Sequence, residues 1–311
     1  MQKETLFLPI TSLSLFLAIS VSIVWGLNFL MVKITLVEMG PLTLCAIRFF
    51  LASIPAIFLV PKPKVSLVYV LIYGLVTFAL QFSLLFAGMA AGVSSSVAAL
   101  IVQSQVFFAI FFSCLVIKQK LTFWQMSGGV ISFAGIGIIA LHRNLDCSLL
   151  GLILLLSSAI CWGLGNLVSV KFKNVNMFSL VVWGSFIAFF PLAMLAFLFE
   201  EPELIVFHPQ SLSLAAWLAL FYITFISTYY GYGVWAWLLS KHQTASITPF
   251  ALLCPIVAML GSAYFFEEQF ESWKLLSAGL VITGLCINIF GKKVSWLLLR
   301  SHRINPAGLS E

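Results

Sequence analysis

A run of about twenty apolar residues, closed by charges or by glycine and proline, recurs ten times along this chain. That repetition decides the fold class before any single residue is weighed. An α-helix needs ~20 apolar residues to cross a ~30 Å hydrocarbon core. Inside that core every backbone polar group must be satisfied by the protein, so only helices and closed barrels can span it. Barrel strands alternate apolar with polar over ~10 residues, and no such alternation is present. Only 8% of the residues are charged, against ~25% in soluble domains. The chain is therefore predicted to be all-α and polytopic, with ten transmembrane helices. The predicted spans are 12–36, 41–60, 66–88, 94–117, 122–141, 148–170, 176–199, 212–239, 244–266 and 272–290. The first lacks a small-residue cleavage site and is read as a helix, not a removed signal peptide.

Basic residues orient these helices. If both termini are cytoplasmic, twelve fall inside: Lys3, Lys62, Lys64, Lys118, Lys120, Lys171, Lys173, Lys241, Lys292, Lys293, Arg300 and Arg303. Only Lys33, Arg143 and Lys274 fall outside, and Arg48 lies within the second helix. The bias accounts for the net charge of +6 without a nucleic-acid partner. The expected partners are the lipid bilayer and a small molecule, with a homo-oligomer left open. The six cysteines form no CxxC pair and the four histidines show no metal-ligand spacing. No metal, cofactor or disulfide framework is expected. No nucleophile–base pair or carboxylate pair lies at membrane depth, so no catalytic residue is assigned and an enzyme is not expected.

The chain also repeats itself. Trp25-Gly26-Leu27 returns as Trp162-Gly163-Leu164, Asn28 as Asn166 and Lys33 as Lys171. Residues 118–139 align with 267–288 at an offset of 149, placing Trp124 on Trp273 and Gly135 on Gly284. The expected organisation is a terminus at 1–11, a first five-helix repeat at 12–141, a second at 148–290, and a basic tail at 291–311. Five is odd, so the second copy enters from the opposite face. Inverted repeats of this kind are a common plan for secondary transporters, which rock around a midplane site.

Several stretches carry a family resemblance. They are WGLNF (25–29), Arg48-Phe49, PAIFLVPKPKV (55–65) and YGL (73–75) in the first half. In the second they are CWGLGN (161–166), SLVVW (179–183), GYGVW (231–235), LLCPIVA (252–258) and GLCINIFG (284–291). In this order, over nearly the whole chain, they resemble the EamA branch of the drug/metabolite transporter superfamily. The resemblance implies two five-helix repeats around a central cavity in the bacterial inner membrane. It also implies export of small amino acids or their metabolites, of the cysteine and O-acetylserine kind. There is one departure. Where the family has Gly-Glu, the first half has Lys118-Gln119-Lys120, while the second keeps Glu267-Glu268. No role passes to a first-half glutamate.

Candidate site residues follow from polar groups placed in apolar runs. Ser14, Ala18, Ser22, Trp25, Asn28 and Phe29 share one stripe of the first helix, and Ser158, Trp162, Asn166 and Ser169 one stripe of the sixth. Such stripes pack helices closely or line a wet cavity. The paired Trp and Asn are expected to meet midway. Arg48 sits about eight residues into its helix, where charge is costly. It could clamp a substrate carboxylate, snorkel outward, or pair with Glu38. Gln81 and Gln103 are amides at membrane depth, and Tyr230 and Tyr232 offer hydroxyls and ring faces to an ammonium group. Since Gln103 and Gln105 differ by about 200° on a helix, one of them should bond a neighbouring helix. The candidate substrate-binding set is thus Trp25, Asn28, Arg48, Gln81, Gln103, Trp162, Asn166, Tyr230 and Tyr232. Pro249 and Pro255 could free carbonyls or kink their helix. Gly128, Ser132 and Gly135, with Gly279 and Thr283, read as contact seams. No acid falls within a predicted core, so no carboxylate relay is visible. Import or exchange of another metabolite, or a non-transporting scaffold or sensor, remain as alternatives.

Overall fold

The computed structural model describes residues 11–118, 120–142, 148–169, 175–200, 212–242 and 244–303. Ten helices long and apolar enough to cross a membrane are present among them: α1 (Ser12–Leu36), α2 (Pro41–Leu59), α3 (Leu67–Ala90), α4 (Ser95–Val116), α5 (Phe123–Leu141), α6 (Leu149–Val168), α7 (Met177–Phe199), α8 (Leu214–Trp235), α9 (Thr248–Phe266) and α10 (Ser272–Gly291). The last helix does not stop near 290 as expected. It runs on as Ser272–Arg303. Large apolar side chains such as Phe16, Phe197, Phe199 and Leu260 face outward. Lipid is the solvent that accommodates them.

Local chemistry starts the helices. Thr11 caps α1 through the Ser14 amide, Ser94 caps α4, and a Thr122–Gln125 capping box opens α5. Helix α2 begins at Pro41 after Gly40, which has no side chain to cap with. The Glu200 carboxylate, at the end of α7, fills that role. It accepts from the Leu42 amide at 2.6 Å, the Thr43 amide at 3.0 Å and the Thr43 hydroxyl at 2.5 Å. A carboxylate is favoured there by the unpaired amides and the helix dipole.

The principal partners of each helix lie in the other half. Helix α1 packs on α8 and α9, α6 on α3 and α4, α2 on α7, and α5 on α10. Exchanging the halves maps this set onto itself, in agreement with the internal repeat. The α5–α10 seam is the tightest. Gly128 faces Gly284 so closely that a Cβ on either would strike the other's carbonyl. Ser132 donates to the Val281 carbonyl at 3.0 Å, and Ser277 to the Gly135 carbonyl at 2.8 Å. The numbers rise on one helix as they fall on the other, so the pair is antiparallel. On α5 the seam uses the expected residues. On α10 it does not: Gly279 and Thr283 are exposed, and a Cβ on Gly279 would meet nothing.

Five helices depart from regular α geometry: α2 is interrupted at Ile54-Pro55, between Pro41–Ser53 and Ala56–Leu59, and four others depart in matched pairs. Helix α3 widens into a π-helical stretch at Gly74–Leu80, and α8 at Tyr222–Gly231. Helix α4 breaks at Gln103-Ser104, between Ser95–Val102 and Gln105–Ile117. Helix α9 opens as a 3-10 stretch at Thr248–Leu252 before Leu253–Phe266. Pro249 lies in that 3-10 stretch, while Pro255 sits in the first turn of Leu253–Phe266. First-turn prolines give up no intrahelical bond, so Pro255 marks a helix start, not the mid-helix kink considered from sequence.

Candidate functional site

Arg48 is the largest fully buried side chain, at 1% exposure. It neither snorkels nor pairs with Glu38. Glu38 instead accepts from Ser213, at the start of α8: from its amide at 2.8 Å and its hydroxyl at 2.5 Å. The reason is position. Arg48 sits well inside α2, whereas Glu38 lies in the turn beyond α1. The guanidinium lies against three phenylalanines. Its centre is 4.3 Å from the Phe82 ring centroid, 5.4 Å from Phe49 and 5.8 Å from Phe86. Ring faces attract a cation and offset part of its desolvation. One hydrogen bond is made, from Nη2 to the Thr228 hydroxyl of α8 at 3.2 Å. Nε and Nη1 are buried without a hydrogen-bond partner. No carboxylate lies within salt-bridge distance of Arg48 among the described residues. A buried guanidinium with two unpartnered nitrogens keeps donors of the kind that pair with a carboxylate.

The aromatic shell links Arg48 to α1. Phe49 meets Phe78 and Phe82 edge-on, Phe78 meets Tyr232, and Tyr232 meets Trp25 at 5.6 Å. Trp25 also contacts Trp235, and its indole N–H donates to the Ser227 carbonyl at 3.2 Å. That carbonyl lies within the π-helical stretch of α8. Two more amides belong to this region. Asn28, one turn after Trp25, is 6% exposed and its Oδ1 has no partner. Gln81, beside Phe82, is 2% exposed, and its backbone carbonyl accepts from Ser158 of α6 at 2.8 Å.

The other predicted residues are engaged elsewhere. Gln103 donates to the Ala251 carbonyl at 3.4 Å, tying the break in α4 to the 3-10 stretch of α9. Asn166 donates to Gln105 Oε1 at 2.8 Å. Gln103 and Gln105 thus both bond neighbours, because the helix breaks between them. Tyr230 pairs with the Ser20 hydroxyl at 2.6 Å. Trp162 packs on the core without joining the Trp25 cluster. The paired Trp and Asn therefore do not meet as one constellation. The second copy is held by α4 and the first by α8. Thr228, Phe82 and Ser227 were not singled out from sequence. For Thr228 a signal existed: a hydroxyl pair, Ser227-Thr228, inside an apolar run.

Buried polar contacts lie toward both ends of the bundle. On the face where α9 meets α10, Lys274 pairs with Glu268 at 3.3 Å, and their side chains are 4% and 8% exposed. Lys274, counted from sequence among the outside basic residues, is thus a buried partner. Ser96 of α4 donates to the same Glu268 oxygen. Beside them His142 stacks on Trp273 at 5.0 Å. On the face where α1 begins, Ser14 bonds His242 Nε2 at 2.8 Å. Between these contacts lie the Arg48 shell and the broken segments of α4 and α9.

Comparison with known proteins bears on what this arrangement does. A model of the EamA-like transporter family matches residues 12–141 and 149–290. A probable amino-acid metabolite efflux pump of Salmonella typhimurium is 34% identical over 286 residues, covering 90% of this chain and 95% of that protein. Its Escherichia coli namesake is 33% identical over 282 residues, covering 88% and 94%. A solved crystal structure shares the fold with a TM-score of 0.60 at 15% identity, covering 89% of this chain and 97% of that one.

Proposed function

The chain belongs to the EamA-like transporter family, and from that premise we propose that it exports small amino acids or their metabolites, of the cysteine and O-acetylserine kind, across the inner membrane. Both termini would face the cytoplasm, as the lysine and arginine distribution favours. The protein would act as a carrier with no chemical step. Its two halves would open alternately to either side of the Arg48 region.

One observation carries the substrate class. Arg48 is buried, ringed by phenylalanines and short of partners at Nε and Nη1. An amino acid brings the carboxylate this fork lacks. The free Oδ1 of Asn28 and the faces of Trp25 and Tyr232 suit its ammonium end. A structural arginine would be expected to have its donors filled.

The test is uptake of labelled cysteine or O-acetylserine into inverted membrane vesicles. Wild-type protein should load the vesicles. Arg48→Ala should raise KM at least tenfold, since a hydrogen bond to a charged group is worth about 1.5–3 kcal/mol. Normal transport with unchanged affinity in Arg48→Ala would refute the clamp. Labelling of cysteines placed along α1, α3 and α6 tests the scaffold alternative, which requires that no reagent reach them from either side.

A further inference from the structure

We propose that Thr228 is a positioning residue for Arg48, and that the π-helical stretch of α8 exists to deliver its hydroxyl. This deepens the carboxylate-clamp reading and rests on it. Three observations support it.

First, Thr228 is fully buried, and its oxygen is the acceptor for Arg48 Nη2. Second, its own proton is already committed. The hydroxyl donates to the Ile223 carbonyl at 3.0 Å, five residues back. A threonine in a regular α-helix bonds back three or four residues. The five-residue reach belongs to the π register of Tyr222–Gly231. With its proton directed at Ile223, the hydroxyl can present only lone pairs to α2. It therefore accepts from the cation and cannot compete for an incoming carboxylate. Third, a π stretch rotates the residues beyond it by up to about 100° relative to an uninterrupted α-helix. Inside the stretch the wider register sets the facing of Thr228 toward Arg48, and beyond it the rotation turns Tyr232 toward Trp25 and Phe78.

The consequence concerns geometry. A guanidinium has five N–H groups on three nitrogens. Thr228 occupies one, on Nη2. The other Nη2 proton, with either Nε–H or an Nη1 proton, still forms a two-donor fork for a carboxylate. The threonine thus holds the plane of the guanidinium without spending its binding edge.

The experiment compares Thr228→Val, which keeps the shape and loses the oxygen, with Thr228→Ser, which keeps the oxygen. Both go into proteoliposomes, and exchange of labelled cysteine is measured with cysteine, O-acetylserine and carboxylate-free cysteamine as competitors. Thr228→Val should raise KM for cysteine about three- to tenfold with maximal exchange unchanged, and leave cysteamine competition unaltered. Thr228→Ser should stay within twofold of wild type. A substrate-independent arm uses melting temperature. Thr228→Val should lower it more in the wild-type background than in an Arg48→Met background, where only the bond to the Ile223 carbonyl is lost. Equal loss for cysteine and cysteamine, no rescue by serine, or additive melting shifts would each overturn the positioning role. If Arg48→Ala leaves affinity intact, the clamp reading itself falls. If Arg48→Ala is defective and Thr228→Val is not, only the positioning role falls.

Discussion

Lys118 and Glu267, 149 positions apart, end α4 and α9 in the same left-handed conformation, with φ of 56° and 52°. Among the described residues they are the non-glycine positions with positive φ. A side chain in this conformation costs about 1–2 kcal/mol, and glycine adopts it freely. Lys118→Gly and Glu267→Gly should therefore each stabilise the protein by about 0.5–1 kcal/mol. Thermal unfolding in detergent checks this, with Lys118→Ala and Glu267→Ala as neutral-to-destabilising controls.

The buried pair Glu268–Lys274 has a neutral counterpart in the other repeat. At the same offset, Glu268 falls on Gln119 and Lys274 on Gln125. Removing one member of a buried pair strands the other charge and costs about 3–5 kcal/mol, while replacing both is often close to neutral. Glu268→Gln and Lys274→Gln alone should each destabilise strongly. The double substitution should recover most of the loss. Additive losses in the double variant would show that the charges act independently.

The α5–α10 seam separates glycines by role. Gly284→Ala must push a methyl group against the Gly128 backbone and Ser132, and overpacking of this kind costs about 1–3 kcal/mol. Gly279→Ala meets nothing and should be neutral, or stabilising by up to about 1 kcal/mol through helix propensity. Melting temperatures of the two variants should move in opposite directions or differ by several degrees.

Acid should loosen the junction between α1 and α8. The hydrogen bonds from the Ser213 hydroxyl and amide hold the Glu38 carboxyl below its ordinary range. A group with a lowered folded pKa stabilises fully above its unfolded value, and the contribution vanishes as pH falls through the folded value. The difference in melting temperature between wild type and Glu38→Gln should be largest near neutrality and close at the acid end. A gap that persists in acid would mean the carboxylate charge is not responsible.

Much of the architecture was legible because the bilayer imposes a length rule. Ten apolar runs gave ten helices, and the α5 seam of Gly128, Ser132 and Gly135 was readable as small residues at close intervals. What failed was the use of a regular helical wheel. A 100° step assumes unbroken α geometry, but α3 and α8 widen and α4 and α9 break. Each irregularity shifts the facing of the residues beyond it. Tyr230 and Tyr232, grouped by sequence, therefore reach Ser20 and Trp25 separately. Gln103 and Gln105 both find partners for the same reason. Lys274 was legible only as an outside basic residue, and the fold shows that it pairs with Glu268, which Ser96 also bonds.

The cross-pairing of the helices sets a timetable for manufacture. Helix α1 is made first, yet its main neighbours begin at Leu214 and Thr248. At ~5–20 residues per second, roughly 180 residues of further synthesis take about ten to forty seconds. Throughout that wait, Trp25, Asn28 and the underside of Gly26 face lipid or insertion machinery instead of α8 and α9. Neither half can mature as a separate product and then dock. The newborn protein must keep its polar seams sheltered until α8 and α9 have been made, which makes their late arrival the step at which quality control has most to decide.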